Sequence, residues 1–131
     1  MSPSFGKYVR ERREALRREN PAFSVRGVAA KLRVQPSYLS KVELGQVGPP
    51  SEQTTVRLAE VLGEDPDDLL ARAGKIAGDL KAIISKRPAL FAALIRQLRN
   101  APDPAVEQVI RETAAAYATS TSGTGSHRDH G

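Results

Sequence analysis

Residues 24–45 read SVRGVAAKLRVQPSYLSKVELG and contain two short helical patterns separated by about three residues. The first helix is predicted over about 25–32 and the second over about 36–44. Pro36 suits the first turn of a helix, where no backbone donor is needed, and Gly45 suits the left-handed position just after a helix. Two helices joined so closely can hold the second rigidly across the first, with one face of the second left accessible.

The second of these helices has two chemically different faces. Leu39 and Val42 are apolar and are predicted to face the interior. The other side carries hydroxyl and ammonium groups, on Ser37, Tyr38, Ser40 and Lys41. Such groups can bond to base edges and phosphates, so this face is predicted to enter a DNA major groove.

Helical periodicity continues on both sides of this pair. One helix is predicted before it, over about 4–19, and two after it, one over about 52–62 and one that begins with Asp65 as its cap and ends at Gly74. No alternating strand pattern is found. Residues 1–73 are therefore predicted to form an all-α domain of five helices.

Three further helices are predicted over residues 74–118, each with an apolar stripe. Because three short helices can cover each other only partly, we expect a partner surface here. A homodimer is favoured because two-fold symmetry is the commonest in soluble assemblies, and the alternative is that these helices fold back on the N-terminal core. Residues 119–131 are rich in Ser, Thr and Gly and are predicted to be disordered.

Charge is distributed unevenly along the chain. The formal net charge is +5, but residues 1–50 carry +6, residues 51–72 carry −4 and the remainder carries +3. The positive charge therefore coincides with the two-helix segment. Phosphate binding depends on local positive charge, so this coincidence favours double-stranded DNA as a partner, although a solvated basic helix face would look the same.

Other functional classes find little support in the sequence. The absence of cysteine excludes a disulfide framework and a Cys-based zinc site, and no apolar run is long enough for a membrane span. His127 and His130 lie in the Ser/Gly-rich tail without a third ligand, and the acids after Asp65 suit helix capping. We therefore expect no enzyme, cofactor, metal or membrane partner, and a cytoplasmic, nucleoid-associated protein.

The span from Phe5 to Leu70 resembles the lambda-repressor-like, XRE-type helix-turn-helix family of bacteria and phages. The matching segments are FGKYVRERR, FSVRGVAAKLRV, QPSYLSKVELG, PSEQTTVRLAEVLG and DPDDLL. The resemblance implies a five-helix lambda-repressor-like DNA-binding domain. It also implies a sequence-specific transcriptional regulator, with a homodimeric repressor favoured.

The resemblance also assigns roles to residues. It implies that Ser24, at the start of the 25–32 helix, meets a phosphate through its side chain and backbone amide, and that Lys41 can donate to guanine. Arg13 and Glu43 match a pair that forms a structural ion pair in the family. The complete set of expected DNA-binding residues is Ser24, Arg26, Lys31, Gln35, Ser37, Tyr38, Ser40 and Lys41.

Three features depart from the family pattern. Arg33 stands where a glycine is usual, and a left-handed backbone there would cost arginine about 1–2 kcal/mol, so the turn is expected to be either strained or differently shaped. The link over residues 17–22 is longer than usual, which indicates a first helix extended by a turn. Pro36 replaces a position that often contacts DNA, which leaves fewer groups to read bases.

Two other functions stay open on the sequence. In the first, the protein is the antitoxin of a toxin–antitoxin pair, whose C-terminal helices bind a toxin protein. In the second, it is a protein-interaction module that has lost DNA binding, although the basic N-terminal half argues against this.

Overall fold

The computed structural model describes the backbone of residues 3–128 and the side chains of residues 5–118. This part of the chain contains helices and no strand, which confirms the predicted all-α class. The elements are α1 Pro3–Arg17, a 3-10 turn Pro21–Phe23, α2 Val25–Leu32, α3 Pro36–Glu43, α4 Glu52–Leu62, α5 Pro66–Arg72, α6 Gly78–Lys86, α7 Pro88–Leu98 and α8 Asp103–Arg128. The chain divides into two compact units, Met1–Ile83 and Ile84–Gly131.

Helices α1–α5 share one hydrophobic core. Each helix contributes apolar residues that recur every three or four positions and therefore fall on one face. The buried members are Phe5, Val9, Val28, Ala29, Leu32, Leu39, Val42, Leu58, Ala59, Leu62 and Leu69. Helix α3 contacts both α1 and α2, so its apolar side is covered from two directions while its polar side stays accessible.

The predicted N-caps are present at the helix starts. The Ser24 hydroxyl oxygen accepts a hydrogen bond from the Gly27 amide at 3.0 Å, and Ser51 accepts one from the Thr54 amide at 3.2 Å. The Asp65 carboxylate likewise accepts from the Asp67 amide at 3.2 Å. These bonds satisfy amides that have no carbonyl partner within their own helix, which fixes where each helix begins.

The sequence predicts a first helix extended by a turn, to about residue 19, but α1 ends at Arg17. The link before α2 instead contains the 3-10 turn, which Asn20 caps by accepting a hydrogen bond from the Ala22 amide at 2.9 Å. This turn lies close against the start of α2, where a Cβ on Gly27 would lie 3.0 Å from the carbonyl carbon of Ala22 and still closer to its oxygen. Gly27 is therefore required by packing, although in sequence it reads only as a weak point in the helix.

Arg33 ends α2 in the left-handed conformation, with φ 61° and ψ 42°. Of the two forms that the sequence leaves open, strained or differently shaped, the turn has the strained one. The backbone is held there because the Arg33 amide still bonds the Ala30 carbonyl at 3.1 Å and the Val34 amide bonds the Ala29 carbonyl at 3.0 Å. The turn that joins α2 to α3 is thus closed by ordinary C-cap hydrogen bonds, at the cost of one unfavourable residue.

Replacing Arg33 with glycine is expected to stabilise the protein by about 0.5–1 kcal/mol. The change removes a strain of about 1–2 kcal/mol, and the greater freedom of glycine in the unfolded chain offsets part of that gain. Urea denaturation should show a higher midpoint with an unchanged slope. Arg33→Ala is the control, since alanine keeps the Cβ and the strain. A lower midpoint for the glycine variant would contradict this account of the turn.

A polar cluster joins α1 to the turn between α4 and α5. The Tyr8 hydroxyl donates a hydrogen bond to the Glu64 carboxylate, and the Arg12 guanidinium lies 2.8 Å from the same carboxylate. The hydrogen bond to Glu64 raises the pKa of Tyr8 above its ordinary value, with desolvation as a second cause. The Arg72 guanidinium stacks 3.9 Å from the centre of the Tyr8 ring. These contacts hold one side of α1 against α5 and the turn before it, and another side of α1 contacts α3.

Helices α6–α8 leave their apolar side chains largely uncovered. Among the described side chains of residues 76–118, none is buried. The exposed large apolar residues are Ile76, Leu80, Ile83, Leu90, Leu94, Ile95, Ile110 and Tyr117. None of the helices in the described part of the chain is both long and apolar enough to cross a membrane. A covering partner for these stripes stays a prediction.

Two sequence predictions are not decided by these observations. The predicted domain boundary after residue 73 stays a prediction. The predicted disorder of residues 119–131 also stays a prediction. The backbone of α8 is described as far as Arg128, but the side chains of residues 119–128, which include His127, and all of residues 129–131, which include His130, lie outside the described residues.

Candidate nucleic-acid interface

Helix α3 is held by a buried ion pair between α1 and its own last turn. The Arg13 guanidinium contacts the Glu43 carboxylate through two nitrogens, Nε at 2.7 Å from Oε2 and Nη2 at 3.0 Å from Oε1. Both residues are buried, with 2% and 7% of their surfaces exposed. A third nitrogen, Nη1, donates to the Phe23 carbonyl at 3.1 Å. The hydrogen bond to Glu43 raises the pKa of Arg13, and the two-nitrogen contact holds the guanidinium in one orientation.

A second contact brings α1 directly against the backbone of α3. Gly6 is buried, and a Cβ on it would lie 2.7 Å from the Glu43 carbonyl oxygen and still closer to that of Val42. Real Cβ atoms do not approach oxygen this closely, so the packing requires glycine. Gly6 and Arg13 are seven residues apart and share a face of α1. Together they fix the C-terminal turn of α3.

The predicted DNA-binding residues lie on the accessible side of α2 and α3. Those whose side chains are exposed are Arg26, Lys31, Gln35, Ser37 and Lys41. Ser24, Tyr38 and Ser40 are half-buried. Polar side chains of the predicted set are thus accessible on both α2 and α3, which contact each other, and their role in DNA binding stays a prediction.

Tyr38 is more enclosed than its predicted outward position suggests. Tyr38 is partly buried and packs against the hydrophobic core of α1–α5. Residues four apart are neighbours on a helix, so Tyr38 lies beside the buried Val42. A contact from Tyr38 to DNA would therefore come through its hydroxyl group, since the ring is already used in packing.

The backbone amide of Ser24 is already used within the fold. It donates to the Pro21 carbonyl at 3.2 Å, closing the 3-10 turn. The Ser24 hydroxyl oxygen accepts from Gly27, which leaves the hydroxyl proton for a phosphate. By helix geometry, the following amides of Val25 and Arg26 have no carbonyl partner within α2. An anion at this end would thus meet the Ser24 hydroxyl and these two amides.

The structure adds basic residues that the residue-by-residue prediction missed. Arg10 and Arg17 of α1 are exposed and line one concave surface together with Ser40 and Leu44 at the end of α3. A second concave surface, beside the loop after α3, is lined by Lys7 and again by Arg10. We call Lys7, Arg10 and Arg17 the basic rim. Their spacing on α1, at positions i, i+3 and i+10, could have shown that they share a face.

The charge pattern suits a polyanion. Exposed cations lie on α1, α2 and α3, and Arg10 and Arg17 line a concave surface with Ser40 of α3, whereas the acids of residues 51–72 lie on α4, α5 and the turn between them. Within the described side chains, no group of three or more His, Asp or Glu residues could hold a metal ion. The arrangement therefore offers hydrogen-bond donors on a rigid helix, with cations beside it for phosphates.

Comparison with known proteins identifies the N-terminal unit. No curated protein and no solved structure shows a significant match to the chain. The family model of the helix-turn-helix domain matches residues 4–73, which is more than half of the chain and spans α1–α5. Given this match and the accessible polar helix described above, the protein belongs to the helix-turn-helix family of DNA-binding domains.

Proposed function

We propose that this protein is an XRE-type, sequence-specific transcriptional regulator that acts in the cytoplasm as a homodimeric repressor. The observation that carries the proposal is the polar face of α3, which is accessible, rigidly held at its last turn and bordered by cations. Repression requires only that a site needed by the transcription machinery be occupied. A DNA-reading domain joined to a dimerising region is sufficient for that.

In this proposal α3 enters the major groove. Lys41 donates to guanine O6 or N7, and Ser37, Ser40 and Gln35 make further polar contacts to bases or backbone. Ser24, Arg26 and Lys31 bind phosphates, and the basic rim extends this contact along the strand. The two classes of contact predict two different mutational signatures.

Lys41→Ala is expected to lower affinity for the cognate operator by about 1–3 kcal/mol, because one base contact is lost. Affinity for unrelated DNA should change much less. Fluorescence anisotropy with both DNAs at the same salt concentration measures the difference. Arg57→Ala is the matched control, since it removes an exposed cation from α4. Equal losses on both DNAs would place Lys41 at a phosphate instead.

Arg26→Ala and Arg17→Ala are expected to weaken binding to all sequences alike. Each lost phosphate contact should reduce the magnitude of the slope of log K against log salt by about 0.9. Titrations at several salt concentrations measure the slope, again with Arg57→Ala as the control. A slope that matches wild type at either position would remove that residue from the footprint.

The homodimer is proposed to form through residues 74–118. The support is the row of uncovered apolar side chains, among them Leu90, Leu94 and Ile95, which are 69%, 44% and 54% exposed. Association would remove these side chains from water, and two-fold symmetry would place two α3 helices about one DNA turn, or roughly 10 bp, apart.

The decisive experiment is selection of bound DNA from a random pool by the full chain, followed by footprinting and sedimentation. A two-fold symmetric site protected by a dimer would support the proposal. Absence of any enriched sequence would overturn sequence-specific regulation. A monomer that binds one asymmetric half-site would overturn the homodimer alone.

The same uncovered apolar side chains also favour a second candidate, an antitoxin whose C-terminal helices bind a toxin protein. It keeps the DNA-binding role of α3 and changes only the partner of residues 74–118. Co-expression with the product of an adjacent gene separates the two. A stoichiometric complex that relieves growth inhibition by that product would favour the antitoxin over the free homodimer.

A further inference from the structure

Leu44 stands out as an apolar side chain on the polar surface of the domain. It caps the C-terminal end of α3 in a helical conformation, with its amide bonded to the Ser40 carbonyl at 3.0 Å. Its side chain is 58% exposed, whereas the leucines of the α1–α5 core are at most 2% exposed. Leu44 is not among the described residues that pack against the α1–α5 core, so core packing does not account for a leucine at this position.

Helix geometry places Leu44 on the face that reads DNA. Ser37, Ser40, Lys41 and Leu44 are spaced at i, i+3, i+4 and i+7, which is one face of an α-helix. Leu44 lies about 4.5 Å further along the helix axis than Lys41, since the rise is about 1.5 Å per residue. That distance is close to the roughly 3.4 Å spacing of base pairs. In the proposed complex, side chains this close together on one helix face meet the same or neighbouring base pairs.

The surroundings of Leu44 favour DNA over a protein as the group that covers it. It lines both concave surfaces beside α3, which also contain Lys7, Arg10 and Arg17. An apolar protein surface placed over Leu44 would bring these cations out of water, which is costly. Among the described residues, Arg10 alone of the three has a carboxylate within 4 Å, that of Glu14 at 3.8 Å, and this pair is exposed. DNA would pair the three cations with phosphates. The apolar group that base pairs present in the major groove is the C5-methyl of thymine.

We propose that Leu44 reads the C5-methyl group of a thymine in the major groove, next to the base pair contacted by Lys41. The inference rests on the proposed sequence-specific binding by α3 and adds a specificity element to it. The contact would select thymine by burying a methyl group, without a hydrogen bond.

The test removes the methyl group alone. Each thymine of the selected operator is replaced in turn by deoxyuridine, and affinity for the full chain is measured by anisotropy. For the wild-type protein, one position in each half-site is expected to lose about three- to fivefold in affinity, the effect of exposing one methyl group. Leu44→Ala is expected to bind the intact operator correspondingly less tightly and to show no further loss at that position.

Val47→Ala is the matched control, because Val47 is an exposed apolar residue of the same neighbourhood but lies in the loop after α3. It should keep the full sensitivity to the methyl group. Circular dichroism should show that Leu44→Ala is folded, as expected for an exposed position.

Three results would overturn the inference while leaving sequence-specific binding intact. These are equal sensitivity of Leu44→Ala and wild type to deoxyuridine, no sensitive thymine at all, and a change of oligomeric state in Leu44→Ala with sensitivity retained. Failure of the wild-type protein to select any sequence would instead overturn the proposed function itself.

Discussion

Glu43→Ala lowers the free energy of unfolding by about 3–5 kcal/mol, because it leaves the buried Arg13 guanidinium without its carboxylate partner. Two of the hydrogen bonds that Arg13 donates are lost at once, and burial prevents water from replacing them. Urea denaturation followed by circular dichroism measures the change. Because a small domain is stable by only about 5–15 kcal/mol, this loss removes a large fraction of its stability.

The controls for this prediction separate the buried pair from charge in general. Glu14→Ala removes a carboxylate 3.5 Å from Arg13 Nη2 whose side chain is 46% exposed, and it should change stability by less than about 0.5 kcal/mol. The double variant Arg13→Met with Glu43→Leu should recover most of the loss, since no unpaired charge remains buried. A Glu43→Ala variant as stable as wild type would show that the pair is not buried in solution.

Gly6→Ala is the second change expected to have a large effect, at about 3 kcal/mol of destabilisation. The added methyl group would overlap the carbonyl oxygens of Val42 and Glu43, and a backbone carbonyl in the last turn of a helix cannot rotate away. Helix α3 must therefore move away from α1. Since α3 is the proposed reading helix, the folded fraction should also lose affinity for the operator more than for unrelated DNA.

Gly48→Ala is the matched control for Gly6, because a Cβ on Gly48 would meet no atom within 4 Å. That variant should be as stable as wild type or slightly more so, since alanine reduces the freedom of the unfolded chain. Denaturation and anisotropy on both variants form the experiment. Gly6→Ala with wild-type stability and an unchanged ratio of operator to unrelated binding would show that α1 does not fix the position of α3.

Local signals in the sequence predict most of the helical framework. The caps at Ser24, Ser51 and Asp65 and the left-handed Arg33 all depend on hydrogen bonds or backbone strain within a few residues. Because such interactions join residues that are close together in the sequence, the local sequence predicts them. The sequence also shows that the link before α2 is long, but it does not show that the link forms a 3-10 turn. That form involves close packing of the turn against Gly27.

The sequence predicts only part of the polar face of α3. The polar residues of α3 follow from helical periodicity, and Lys41 is exposed as the pattern implies. Periodicity alone could not show that the Tyr38 ring packs against the core, or that the Ser24 amide is used by Pro21. Both depend on neighbouring elements. The sequence pattern predicts Leu44 only as the end of a helix. The identity of an apolar residue does not show whether its side chain is buried within the domain.

The sequence by itself determined the helices, their caps and the concentration of positive charge in the first fifty residues. Only the tertiary structure decided which residues come together from different helices: Gly6 against the last turn of α3, and Arg10, Arg17 and Ser40 around one concave surface. The reason is physical. Helix formation depends on interactions between residues up to four positions apart, whereas these contacts join residues more than twenty positions apart and exist only once the core has packed.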